Sequence, residues 1–303
     1  MHHDTKAGMG LDTIAASQPP AKKVLLCADD FGLHVAVDQA IFELAEQGRM
    51  NCASCLVDGP SFVANAQLLV QADLQIGLHL NFTEALTSPG VRDVRFVEVQ
   101  SLPHLMAMAW MRRLNAAAVR AEIARQLDRF LAVVGRFPDY IDGHQHVHQF
   151  PVIRDALMAE LLTRQEAAPM VSRPWLRSTW VGSVRALPAG TRVKAAMIQS
   201  LGARRFRRLA GRHEFPLNRR LLGVYGFEGG AEGYHALLTA WLAMGCDGDL
   251  IMCHPAKTPV PGDVLGAQRV AEFQALTARD LQTELDRHNV RLAGDACFEH
   301  TAG

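Results

Sequence analysis

The chain has 303 residues, 49% of them hydrophobic, and its Lys+Arg and Asp+Glu counts are both 31, leaving a formal net charge of zero. Such a composition fills a sizeable globular core, and the charge balance gives no sign of a nucleic-acid partner. No apolar run reaches the ~20 residues that cross a bilayer, and residues 1–20 lack the basic-then-apolar order of a secretory signal, so a cytoplasmic protein without a transmembrane segment is expected.

Residues 1–20, rich in Gly, Ser, Ala and Pro, read as a flexible leader. Residues 21–303 read as one domain, because no Ser/Gly-rich linker divides them. Residues 24–28 form a continuous apolar run of the kind buried on both faces of a parallel sheet, and it ends abruptly in Asp29-Asp30. Apolar positions at helical spacing follow over 35–47, with Gly48 as a stop. Residues 52–57 are the next strand, Ser61 caps a helix through Val70, and 74–80 is a strand that carries His79 near its end. This alternation predicts a parallel sheet or barrel with helices outside.

Residues 82–115 break the rhythm, with a turn at Thr87-Ser88-Pro89-Gly90, a break at Leu102-Pro103 and a short helix over 105–114 in a long loop above the site. A helix over 116–134 with Gly135 as its stop comes next, and the strand 138–141 delivers Asp142-Gly143-His144-Gln145-His146-Val147-His148. Three imidazoles at alternate positions beside an acid have no packing rationale. In extended chain His144, His146 and His148 would lie on one side, where they suit a divalent metal or proton transfer. Pro151 then opens a helix to about residue 162.

The stretch near 172–220 is the least legible. Between 192 and 220 it interleaves Arg192, Lys194, Arg204, Arg205, Arg207, Arg208, Arg212, Arg219 and Arg220 with apolar residues. A solvated face that keeps long stems on the fold is the favoured reading; peripheral membrane contact or the grip of a phosphate-bearing substrate is the alternative. Regular elements return with a strand over 221–227, a helix over 233–244, and the buried strand 250–253 that ends in His254-Pro255. One final helix over 268–288 and a strand over 290–292 close the chain. The six cysteines, including the Cys52-Ala53-Ser54-Cys55 pair, sit in apolar runs as reduced core thiols do.

Four separate strands thus end in chemistry: Asp29-Asp30, His79, Asp142 with the histidine run, and His254. In parallel α/β folds the carboxyl ends of all strands share one face, so these residues can meet. A hydrolytic metal site needs about three protein ligands and an open position, with a carboxylate as general base and an imidazole as acid. Alternation allows only one of Asp29 and Asp30 to face that site unless the strand end twists open, and spacing does not decide which ligates.

The motifs Ala28-Asp29-Asp30-Phe31-Gly32, Gly77-Leu78-His79-Leu80-Asn81, Asp142-Gly143-His144-Gln145-His146-Val147-His148 with Phe150-Pro151, and Met252-Cys253-His254-Pro255 together resemble those of the YdjC-like carbohydrate deacetylases, which include chitooligosaccharide and hopanoid-associated members. The matches run in order over residues 23–255. The resemblance implies an α/β fold, a single-domain distorted (β/α) barrel that is TIM-like, and a hydrolase that removes acetyl from an N-acetylated sugar with one divalent metal ion, whether Zn, Mg, Mn, Co or Ni. By position it implies Asp30, His79 and His144 as metal ligands, Asp29 as general base and His254 as acid or substrate-positioning imidazole. Asp142 would orient the ring of His144, and His146 and His148 would stand behind the ligands or touch substrate. A small carbohydrate or lipid-linked sugar substrate and a homodimer are further implications. A metal phosphoesterase on the same scaffold, or a sugar-binding regulator without catalysis, are the rival readings.

Overall fold

A computed structural model describes residues 19–87, 95–167, 173–183 and 185–293. The leader expected over 1–20 lies outside the described residues except for its last two, as does the turn expected over 87–90 except for Thr87. Its spine is β1 (Lys22–Phe31), whose residues from Val24 onward are all buried because parallel neighbours cover both its edges. The strands β2 (Cys52–Cys55), β3 (Gln75–Leu80), β4 (Tyr140–Gly143), β5 (Trp175–Leu176), β6 (Leu221–Leu222) and β7 (Leu250–Cys253) complete the order β5-β4-β3-β2-β1-β7-β6. A last strand, β8 (Val290–Leu292), pairs with the first residues of β1. Every pairing is parallel.

The barrel expected from the sequence is therefore present as a half-barrel. Its end strands β5 and β6 do not pair with each other. The gap is bridged by Leu176 N–H donating to Pro216 O at 2.8 Å and Leu221 N–H donating to Trp180 O at 2.7 Å. Each of these end strands is two residues long, and β6 is far shorter than the 221–227 strand expected, because Gly223 adopts φ +88 and turns the chain away.

Helices α1 (Val35–Glu46), α2 (Phe62–Gln71), α4 (Ala116–Val134) and α5 (Ile153–Ala167) follow the strands as expected. α4 has matched signals at both ends: Asn115 Oδ1 accepts from Ala117 N and Ala118 N, and Gly135 ends it in the left-handed region. Before it, α3 (Leu102–Trp110) starts earlier than expected, because Pro103 occupies its first turn instead of breaking it. The Arg-rich stretch folds as α6 (Ala189–Ser200) and α7 (Ala203–Arg212), followed by α8 (Gly230–Met244).

The single final helix expected over 268–288 is instead two, α9 (Gly266–Thr277) and α10 (Leu281–Arg287). Arg49, reaching over from the end of α1, donates to the carbonyls of Leu276 and Ala278, so the end of α9 is satisfied by a side chain and the chain can leave the helix.

The β3–β4 contact is close enough to forbid a side chain. A Cβ on Gly77 would lie 2.3 Å from the ring of Tyr140, which is itself fully buried and stacked on Trp175 with centroids 4.2 Å apart. Gly77→Ala is accordingly expected to lower stability by about 1–3 kcal/mol in chemical denaturation, whereas Gly48→Ala, at an open turn position, costs less despite its positive φ.

Candidate metal centre

The carboxyl ends of β1, β3 and β4 bring three donors together. Asp30 Oδ1 lies 3.0 Å from His144 Nδ1 and 3.4 Å from His79 Nε2, and the three donor atoms fall within 4.8 Å of one another. All three residues are buried. The Asp29-Asp30 alternation problem is resolved by the backbone: Asp30 adopts φ +71, and the pairing of β1 with β2 slips between Ala28 and Phe31. This bulge turns Asp30 out of the regular pleat, so both acids serve the same face.

His79 sits beside Asp142 in register on β3 and β4, and its Nδ1 approaches Asp142 Oδ1 at 2.6 Å. The same oxygen accepts from the Ser54 hydroxyl at 2.5 Å. Asp142 was expected to orient the ring of His144. It orients His79 instead, because strand register places them side by side, while the outer nitrogen of His144, Nε2, meets Glu84 Oε1 at 3.0 Å. Each imidazole therefore turns one nitrogen toward Asp30 and has its other nitrogen fixed by a carboxylate, the arrangement that orients metal-ligating histidines. The donor set, one carboxylate and two imidazoles, fits a divalent ion of the first transition row.

The three histidines of the run do not share one side. Residues His144–Gln149 form a short 3-10 turn, within which Gln145 (φ 51) and His146 (φ 61) are left-handed. The turn exists because β4 ends at Gly143, where a Cβ would stand 2.9 Å from the His148 backbone nitrogen, so the chain folds back at once. His144 alone joins the cluster. His148 points away and donates from Nε2 to the carbonyl of Arg177 at 2.8 Å, with its ring edge-on to Phe206. His146 has a buried Nδ1 with no partner among the described residues.

Asp29 occupies a second, adjoining position. Its two oxygens accept a paired contact from Arg177 Nη1 and Nη2, both at 2.7 Å. Arg177 is fully buried just beyond β5, and its Nη2 also reaches Asp142 Oδ2 at 2.6 Å and Cys27 Sγ at 2.8 Å. His254, beyond the end of β7, directs Nε2 toward Asp29 Oδ2 at 3.9 Å and stands edge-on to Phe227. Arg269 on α9 donates to Asp30 Oδ2 at 2.7 Å, and Glu272, one turn later, accepts from His254 N–H and from the Tyr225 hydroxyl, both at 2.5 Å.

Charge follows from these contacts. Burial alone would raise the Asp29 carboxyl, but the Arg177 guanidinium overrides it and holds the group well below the ordinary range. Asp30 is likewise held down, chiefly by Arg269 against its burial. Burial opposes charge on His79 too, yet Asp142 and Asp29 push its pKa up to about 10, and Asp30 pushes His144 up to about 9. Burial dominates at His148 and His254, which fall to about 4.

Arg177, Arg269, Glu84 and Glu272 were not singled out from the sequence. Arg177 obeys the same strand-end rule as the other site residues, but its strand is too short to read. Arg269 and Glu272 come from α9, and no strand signal marks them.

A sequence model of the YdjC-like protein family matches residues 23–287. The chain belongs to the YdjC-like family. It is 31% identical over 150 residues to a mouse "Carbohydrate deacetylase", covering 46% of this chain and 48% of that one. It is 34% identical over 134 residues to a "Chitooligosaccharide deacetylase" of Escherichia fergusonii, covering 43% and 52% respectively. The chain thus spans about half the length of the curated relatives it matches. In overall structure it is similar to an Enterococcus faecalis protein described as a cellobiose-phosphate cleavage protein, with a TM-score of 0.60, 21% identity, and coverage of 90% of this chain and 97% of that one. That likeness supports the fold.

Two outcomes are expected. With no cation present at about pH 7, both His79 and His144 carry protons, so titration with Mn²⁺ or Zn²⁺ in weak buffer releases protons and the apparent affinity rises with pH; His144→Ala abolishes both effects. The second concerns His148. Its folded pKa of about 4 lies below the ~6.5 of an unfolded histidine, so the unfolded state takes up the proton first and stability falls as pH drops from about 6.5 to 4. His148→Gln, which keeps a donor for the Arg177 carbonyl, should reduce the acid-induced loss over that window by about 3 kcal/mol in denaturation curves.

Proposed function

We propose that this protein is a metal-dependent carbohydrate N-deacetylase, a hydrolase of the linear amide bond in an N-acetylglucosamine-type sugar, free, oligomeric or lipid-linked. The observation that carries this reading is the convergence of Asp30, His79 and His144 beside a separate carboxylate, Asp29, that Arg177 keeps ionised. Asp30, His79 and His144 would hold the ion, which when bound supplies a Lewis acid for the acetyl carbonyl and lowers the pKa of water.

The chain's own residues divide the proton work. Asp29 accepts the proton of the attacking water, and its fixed pairing with Arg177 sets the oxygen in place and leaves it charged at neutral pH. His254 is neutral at that pH, so it cannot begin as the acid. It stands next to Asp29 Oδ2, and takes up the transferred proton before delivering it to the amine nitrogen as the C–N bond breaks. Glu272 holds the His254 backbone and Phe227 covers one edge of its ring, so the imidazole is positioned from two sides. Asp142 and Glu84 act through His79 and His144 by fixing their rings.

The decisive assay measures acetate release from a panel of free, phosphorylated and lipid-linked N-acetylglucosamine compounds with Zn²⁺, Mn²⁺, Co²⁺, Ni²⁺ or Mg²⁺ added. Asp29→Asn and His254→Ala should each lower kcat by about 10²–10⁴-fold with metal content retained, while His144→Ala loses metal and activity together. Release of phosphate from ester substrates without any acetate release would sink the deacetylase reading.

A further inference from the structure

A second concentration of chemistry lies outside the metal centre. α7 places Arg204, Arg205, Arg208 and Arg212 along its outer face, and they do not simply fan into solvent. A cavity of about 560 Å³ opens between the end of α3, the start of α5 and the α6–α7 corner, lined by Trp110, Arg154, Gln199, Gly202, Arg204 and Arg205 among others. A smaller one of about 200 Å³ adjoins it, sharing Arg154 and Arg205 and adding Arg208 and Arg212. Among the described residues Asp155 is the one acid lining either cavity, and its contact with Arg154 Nε is 3.5 Å.

The charge here is concentrated and largely unanswered. Among the described residues Arg205, Arg208 and Arg212 form no side-chain ion pair or hydrogen bond. Arg154 is buried, with Nη1 on the Gln149 carbonyl at 3.1 Å. Burial pushes its pKa down, Asp155 opposes this, and the positive charges of Arg205 and Arg112 add to the lowering, as expected where several cations share one acid. The N-terminus of α7 opens on the same cavity, with Gly202 as an N-cap that offers no side chain and no acid in the first turn. Its free N–H groups and the end of its dipole add to the positive field.

We infer that this cavity binds a phosphate group of an organic ligand, held by the guanidinium forks of Arg154, Arg204 and Arg205 and the first turn of α7. Planar forks pair with phosphate oxygens two at a time, and a helix N-terminus presents N–H groups to the remaining oxygens. The volume exceeds what a bare phosphate fills. Trp110, partly exposed at the rim and anchored edge-on to Phe150 with centroids 5.0 Å apart, offers a flat apolar surface for the organic part. None of the metal-centre residues lines either cavity, so the site stands independently of the deacetylase reading.

Such a phosphate group could belong to a soluble ester or to a lipid headgroup, and the experiment has an arm for each. The full chain is titrated calorimetrically with inorganic phosphate and pyrophosphate, and separately sedimented with phosphatidylglycerol–phosphatidylcholine vesicles against phosphatidylcholine alone. The double variant Arg204→Gln/Arg205→Gln changes two exposed side chains, of which Arg204 also lies over the Trp180 ring at 5.4 Å, so circular dichroism and the thermal midpoint are measured beside binding to check that its fold is retained. Saturable binding in the first arm assigns a soluble ester and selective recruitment in the second a headgroup; either supports the site if the double variant weakens it by about tenfold or more. Absence of binding in both arms, or equal binding by the double variant, overturns it.

Discussion

The guanidinium of Arg177 is the constraint on which the candidate site depends. It is fully buried and meets Asp29 from β1, Asp142 from β4 and the Cys27 thiol, so it ties three strands together at their carboxyl ends. A buried cation of this kind is tolerated only when its partners are well placed, and removing it would strand two carboxylates in a medium that cannot solvate them. Its consequences run outward. Asp29 stays ionised, and Asp142, drawn to the same cation, is fixed where its other oxygen holds His79. Even His148 belongs to this network, because it anchors the Arg177 backbone. A lysine could supply the charge but not the fork that engages both oxygens of Asp29.

Backbone irregularity is the second requirement. A regular strand would send Asp29 and Asp30 to opposite faces, and an extended histidine run would crowd three imidazoles together. The bulge at Asp30 and the left-handed pair Gln145–His146 prevent both. Val152, a β-branched residue at φ +68, follows directly after Pro151, so unfavourable geometry brackets the turn. Such conformations persist only where surrounding contacts over-determine them. Here those contacts are the His144 contacts to Asp30 and Glu84, the His148 bond, and the buried Phe150 and Ile153 on either side of Val152.

The outer layer also reaches in. α9 sends Arg269 to Asp30 and Glu272 to the His254 backbone, so two residues of the candidate site are braced from one helix. On the opposite flank, α6 and α7 fill the stretch where the sheet fails to close, and the α6–α7 corner forms the basic cavities. The open edge of the half-barrel and the Arg-rich excursion are thus parts of the same departure from a closed barrel.

The sequence by itself determined the parallel α/β architecture and most of its elements, because buried strands leave continuous apolar runs and helices such as α4 carry their own caps. It also determined which residues end those strands, and so that Asp29, Asp30, His79, Asp142, His144 and His254 share one face. Local patterning extends no further than a few residues, so it could not weigh contacts between segments. Only the tertiary structure decided that Asp142 braces His79 instead of His144, which depends on the register of β3 on β4. It alone placed Arg177, more than a hundred residues from Asp29 in sequence, between two carboxylates. It also split the final helix, through the Arg49 side chain just beyond α1, and divided three look-alike histidines into one cluster residue, one anchor of Arg177 and one whose buried Nδ1 has no partner among the described residues. The physical reason is common to all these cases: the deciding partner lies on another strand or helix, and its position is fixed by packing.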